Sequence, residues 1–160
     1  MSGVWKLMIA DDEPKIRRGL RTQIEHMGLE IEVVAEAEDG EHALEQAALT
    51  RPDILLVDIN MPFLNGLDFI ERLKATRQDA VILVITGFEA FEYARRALDL
   101  GVFAYMLKPV ELSGLRATLD GAIQKLQTER ARARHFAWAV AQIEKRRDSL
   151  WEEFLSEVVR

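Results

Sequence analysis

Cysteine is absent from the 160 residues, which excludes disulfides, thiolate zinc sites, iron–sulfur clusters and cysteine nucleophiles. Only three histidines occur, His26, His42 and His135, and no two of them stand at metal-ligand spacing. No run approaches the roughly 18 apolar residues of a membrane span. The N-terminus has no basic region followed by an apolar stretch and a small-residue cleavage site. These absences lead us to expect a soluble, cytoplasmic protein without membrane attachment. Positive charge is also scarce. Residues 1–120 carry 13 Lys and Arg against 21 Asp and Glu, and residues 121–160 carry 8 against 6. No nucleic acid is expected to bind to this chain itself.

What is present is ample for a folded domain. The chain is 49% hydrophobic and 30% charged, so it can bury a core and stay in solution. Five short apolar runs appear, at 6–10, 31–35, 54–58, 81–85 and 104–107. The third and fourth are almost uninterrupted Ile, Leu and Val, the composition of strands buried on both faces. Helical patterns alternate with them: Ile16, Leu20 and Ile24; Ala43, Leu44, Ala47 and Ala48; Leu67, Ile70 and Leu73; Phe91, Ala94, Ala97 and Leu98; Leu115, Leu119, Ile123 and Leu126. Five strands and five helices in alternation, strand first, predict an α/β fold. It is a doubly wound five-stranded parallel sheet, flavodoxin-like, in order 2-1-3-4-5.

After about residue 127 the strand pattern stops, and 128–160 reads as helix. Steps of four and three from Leu115 land on twelve positions to Phe154, of which all but Glu129 and Arg147 are apolar. That repeat makes a coiled-coil seam candidate, about 58 Å long if one helix carries it. A helix folded back on the domain, or two helices broken near Glu129–Arg134, are the alternatives.

In an open parallel sheet, ligands bind beyond the carboxyl ends of the strands. There the sequence places Asp11, Asp12 and Glu13 after the first run, Asp58 at the end of the third, Thr86 after the fourth, and Lys108 and Pro109 after the fifth. Clustered carboxylates repel unless they share a cation or a proton. An all-oxygen set without His or Cys favours Mg²⁺. Lys108 suits a phosphoryl oxygen, Thr86 adds a hydroxyl donor, and Asp58 is the best candidate to carry a phosphoryl group as an acyl phosphate.

The acidic triplet 11–13, the segment Asp58-Ile-Asn-Met-Pro-Phe-Leu-Asn-Gly66, the pair Thr86-Gly87 and the segment Tyr105-Met-Leu-Lys108-Pro109 together resemble a response-regulator receiver domain, over about residues 4–127. The resemblance implies Asp58 as phosphoacceptor. It implies Mg²⁺ held by Asp11, Asp12, Asp58 and the backbone carbonyl of Asn60, with Asp12 the more direct ligand. Lys108 and Thr86 would contact the phosphoryl group, and Gly87 would leave room for it. Thr86 and Tyr105 would act as switch residues, and a cis bond is expected before Pro109. The stretch Gly87–Gly101 with Leu107-Lys-Pro-Val110 is similar to receivers fused to AraC/XylS-type helix-turn-helix output domains.

The implied partner is a sensor histidine kinase, and the implied output is transcriptional. Residues 1–127 would be the receiver, and 128–160 a helical linker, the start of a missing output region. A homodimer is expected through the face of the fourth and fifth helices or through the C-terminal helix. The protein would be a phosphoacceptor, not an enzyme beyond self-catalysed Mg²⁺-dependent transfer and dephosphorylation. A degenerate receiver acting as an interaction module, or a stand-alone receiver, are the alternatives. An aspartyl phosphatase resembling the haloacid-dehalogenase group fits poorly, because Asn60 stands where its second acidic residue belongs.

Overall fold

In a computed structural model, residues 3–77, 79–87 and 90–158 are described; Phe88 and Glu89, inside the stretch compared above, lie outside them. The strands are β1 (Trp5–Ala10), β2 (Ile31–Ala37), β3 (Ile54–Val57), β4 (Val81–Thr86) and β5 (Ala104–Leu107). The helices are α1 (Pro14–Glu25), α2 (Gly40–Thr50), α3 (Gly66–Thr76), α4 (Phe91–Asp99) and α5 (Leu112–Val158). All strand pairs are parallel, in the order β2-β1-β3-β4-β5 expected from the sequence. The chain forms two compact units, Met1–Ile123 and Gln124–Arg160.

The central strands are buried because both faces are covered. Every residue of β3 and β4 is buried, which is why their sequences show no polar alternation. Met8, Ala10, Leu55, Val57, Ile82 and Val84 join one core cluster with Ala43 and Ala47 of α2, Phe69 and Ile70 of α3 and Ala97 of α4. Leu20 and Ile24 of α1 and Leu115 and Leu119 of α5 are buried too, and Arg116 donates to the Met27 carbonyl at 2.5 Å just beyond α1.

Two helical expectations change. In α4, Ala97 of the expected face is buried, but Phe91 and Leu98 are exposed, and Tyr93 and Leu100 are half-buried against the core in their place. The i, i+4, i+7 line of 93, 97 and 100 prevails over the line of 91, 94, 97 and 98. In α5, Ala122 rather than Ile123 completes the buried line of Leu115, Leu119 and Leu126. The helix runs unbroken through Glu129–Arg134.

The helix starts follow from local chemistry. Asp39 accepts from the His42 N–H at 2.7 Å, and Asn65 from the Asp68 N–H at 2.9 Å, each satisfying a first-turn donor. Removing the second cap, in Asn65→Ala, should cost about 1 kcal/mol, read as a lower urea midpoint with an unchanged m-value.

Candidate functional site

Backbone hydrogen bonds fix the roots of the site before any side chain is considered. Ala10 pairs with Val57, and the Asp58 N–H donates to the Ala10 carbonyl at 2.9 Å, so Asp11 and Asp58 leave adjacent strands at the same level. Thr86 pairs with Leu107, and the Lys108 N–H donates to the Thr86 carbonyl at 2.8 Å. The Lys108–Pro109 bond is cis. After β3 the chain turns tightly: the Gly66 N–H donates to the Ile59 carbonyl at 2.8 Å, which brings the start of α3 against the phosphoacceptor candidate.

The side chains converge from these roots. The Lys108 ammonium lies 2.8 Å from an Asp11 oxygen and 3.1 Å from an Asp58 oxygen, and 3.8 Å from Glu13. The Asp11 and Asp58 side chains are only 3% and 5% exposed. Burial pushes the Asp58 carboxyl above the usual carboxylate range, and the neighbouring Asp11 charge adds to that. The hydrogen bonds from Lys108 and the Asn60 N–H oppose the rise without cancelling it. For Lys108, burial acts to lower the pKa, but the hydrogen bonds to Asp11 and Asp58 outweigh it and hold the ammonium above its ordinary value.

One oxygen from each of Asp11, Asp12, Glu13 and Asp58 lies within 4.8 Å of the others. Four carboxylates around one point, with a single ammonium opposite, form a hard all-oxygen donor set suited to Mg²⁺. The residues present therefore fit the ion. Glu13 belongs to this cluster although the sequence-based ligand set omitted it; its N–H donates to Asp11 at 2.9 Å, which folds the residue back toward the site. Arg17 was also overlooked. Its guanidinium donates to the Asp11 carbonyl at 2.6 Å and lies 3.4 Å from Glu36. Its position on α1 four residues after Glu13 was the available sign.

The remaining candidates lie around this centre. Asn60 is exposed, and its N–H approaches Asp58 at 3.3 Å. Thr86 is fully buried at the end of β4, and Gly87 is exposed beside it. Tyr105, on β5 opposite Val84, is half-buried against the core.

Comparison with known proteins gives concordant results. A family model described as "Response regulator receiver domain" matches residues 7–120. The chain is 32% identical over 126 residues to the uncharacterized transcriptional regulatory protein YesN of Bacillus subtilis, covering 79% of this chain and 34% of that protein. It is 35% identical over 122 residues to the transcriptional regulatory protein PdtaR of Mycobacterium tuberculosis, covering 76% of this chain and 58% of that protein. The chain thus spans about a third of the length of the first of these relatives and somewhat over half of the second. The REC domain of AraT, a response regulator from Geobacillus stearothermophilus, superposes with a TM-score of 0.74 at 43% identity, covering 79% of this chain and 98% of that one.

Proposed function

Because this chain belongs to the response-regulator receiver domain family, we propose that Asp58 accepts a phosphoryl group from the phosphohistidine of a sensor histidine kinase. The observation that carries this reading is the buried Asp58 carboxylate, 3.1 Å from the Lys108 ammonium at the mouth of a four-carboxylate cluster. An Asp58 oxygen forms the new bond to phosphorus as the phosphorus–nitrogen bond breaks, the imidazole leaves, and an acyl phosphate remains.

Asp11, Asp12 and Asp58, with the Asn60 carbonyl and Glu13 nearby, are the groups that would hold Mg²⁺. The bound ion supplies neutralisation of the phosphoryl oxygens. Lys108 passes from Asp58 to one of those oxygens, and the Thr86 hydroxyl donates to another. Gly87 has no side chain to obstruct them. Repositioning of Thr86 and Tyr105 then shifts the population of the α4–β5 surface between two arrangements.

Residues 1–127 act as the receiver, and 128–160 as a helical linker toward an output region beyond this chain. The names of the two curated relatives, both transcriptional regulatory proteins, support a transcription-regulating output there.

The test is intact mass after incubation with acetyl phosphate, with Mg²⁺, with EDTA, and on Asp58→Ala. One added phosphoryl group that needs both Mg²⁺ and Asp58 is the expected result. No addition under any condition overturns the phosphoacceptor reading and leaves an interaction module.

A further inference from the structure

The stretch from Ala133 to Phe154 bears an apolar line whose large side chains are mostly exposed, with Val140 half-buried. Its 4,3-spaced positions are Ala133, Phe136, Val140, Ile143, Arg147, Leu150 and Phe154, and six of the seven are apolar. At about 100° per residue they fall in a sector roughly 100° wide, the width of one docked helix. Phe136 and Ile143 are 71% and 67% exposed, and Leu150 and Phe154 are 58% and 53% exposed. No glycine or proline lies between Gly121 and Arg160 to turn the segment back on itself. A line repeating every 3.5 residues keeps its alignment over three heptads only against another helix wound around it.

We propose that residues 133–154 pair with the same residues of a second copy as a parallel, two-stranded coiled coil about 33 Å long. Every copy carries the same largely exposed line, so one isologous contact buries both. With Ala133, Val140, Arg147 and Phe154 at a, and Phe136, Ile143 and Leu150 at d, Arg147 is the single polar a residue of the segment. Such a residue fixes register and limits strand number at some cost in stability; the arginine stems pack while their heads reach water.

Orientation follows from what each pairing sets side by side. In the parallel arrangement, Arg146 at g faces Trp151 at e of the second copy, a guanidinium over an indole. Trp151 is already stacked on Phe154 at 5.6 Å, at the edge of the line. The antiparallel register that matches Arg147 with Glu129 sets Leu150 and Phe154 opposite Leu126 and Ala122, which are buried within their own chain. The parallel pairing leaves no such residue without a facing partner.

The experiment is sedimentation equilibrium on the full chain. The wild type and Asp58→Ala should both be dimers, because the contact does not involve the phosphoacceptor. Ile143→Asp and Leu150→Asp should each weaken the dimer at least about 100-fold, since a charge would enter the buried line. Trp138→Asp, on the opposite side of the helix, should leave it unchanged, and far-UV circular dichroism confirms that each variant keeps its helix. A spin label on Ser156→Cys, the chain's only thiol, reads orientation. Parallel strands hold the two labels about 20 Å apart, whereas antiparallel strands separate them by more than about 40 Å. A monomeric wild type at high micromolar concentration, a dimer indifferent to both Asp substitutions, or the longer distance overturns the proposal.

Discussion

Lys108→Met should destabilise the Met1–Ile123 unit by about 3 kcal/mol at neutral pH, because it leaves Asp11 and Asp58 buried without their shared cation. The penalty depends on pH with a defined sign. Asp58 in the folded chain is already held above its ordinary value, so folding tightens its hold on a proton. Stability therefore increases as pH falls through that raised value, and the penalty is gone below the ordinary carboxylate value. Losing the ammonium raises the folded value further and widens the window. In the wild type the lysine contributes in the same sense at higher pH: its stabilisation is complete below the ordinary lysine value and is lost as pH rises through the raised one. Urea midpoints of wild type and Lys108→Met across the pH range measure both effects. Adding Mg²⁺, or combining the change with Asp58→Asn, should recover much of the loss. A deficit that does not vary with pH would show that the lysine acts through packing alone.

Gly66→Ala should be nearly as costly, about 3 kcal/mol, with a fall of roughly 10 °C in Tm. A Cβ there would overlap the Asp58 carbonyl oxygen and lie 2.9 Å from the Ile59 Cα. Both obstacles are backbone, so the strand end bearing Asp58 has to move or the first turn of α3 has to lift. Either movement displaces the carboxylate, so acetyl phosphate labelling should slow even where the variant is still folded. Calorimetry and the labelling rate at a temperature below both transitions separate the two effects. Gly19→Ala, on α1 and away from the site, is the control, because a Cβ at Gly19 meets nothing within 4 Å.

These residues show why part of the architecture is legible from sequence and part is not. β3 and β4 are recognisable because burial on both faces leaves no polar interruption in ILLV or VILVI. The site is legible for a related reason. Once the strands are located, the residues just beyond them face one edge, and Asp58 closing an apolar run is unusual enough to be read alone. α4 is different. Ala97 is common to both of its plausible apolar lines, and only the shape of the sheet beneath decides that Tyr93 packs beside it and Phe91 does not. Glu13 is legible as one of the acidic triplet but not as a member of the donor set, because its place in the carboxylate cluster depends on a turn in which its own N–H is captured by Asp11. No periodicity reports such a turn. Arg17 reaches the site through the Asp11 carbonyl rather than through a charge, and residue-type matching does not anticipate a contact of that kind.

The bond between Lys108 and Asp11 joins residues 97 positions apart. On the ribosome, the two aspartates, β1, β3 and β4 are all synthesised before the ammonium that balances them, and a nascent chain ending before residue 108 holds a cluster of unopposed carboxylates. On the proposed phosphoacceptor reading, chemical competence arrives with the last strand rather than growing with the domain. Incorporation of phosphoryl label into chains stalled at increasing lengths would appear as a step after Lys108 clears the exit tunnel, which turns the site into a timer for completion of the sheet.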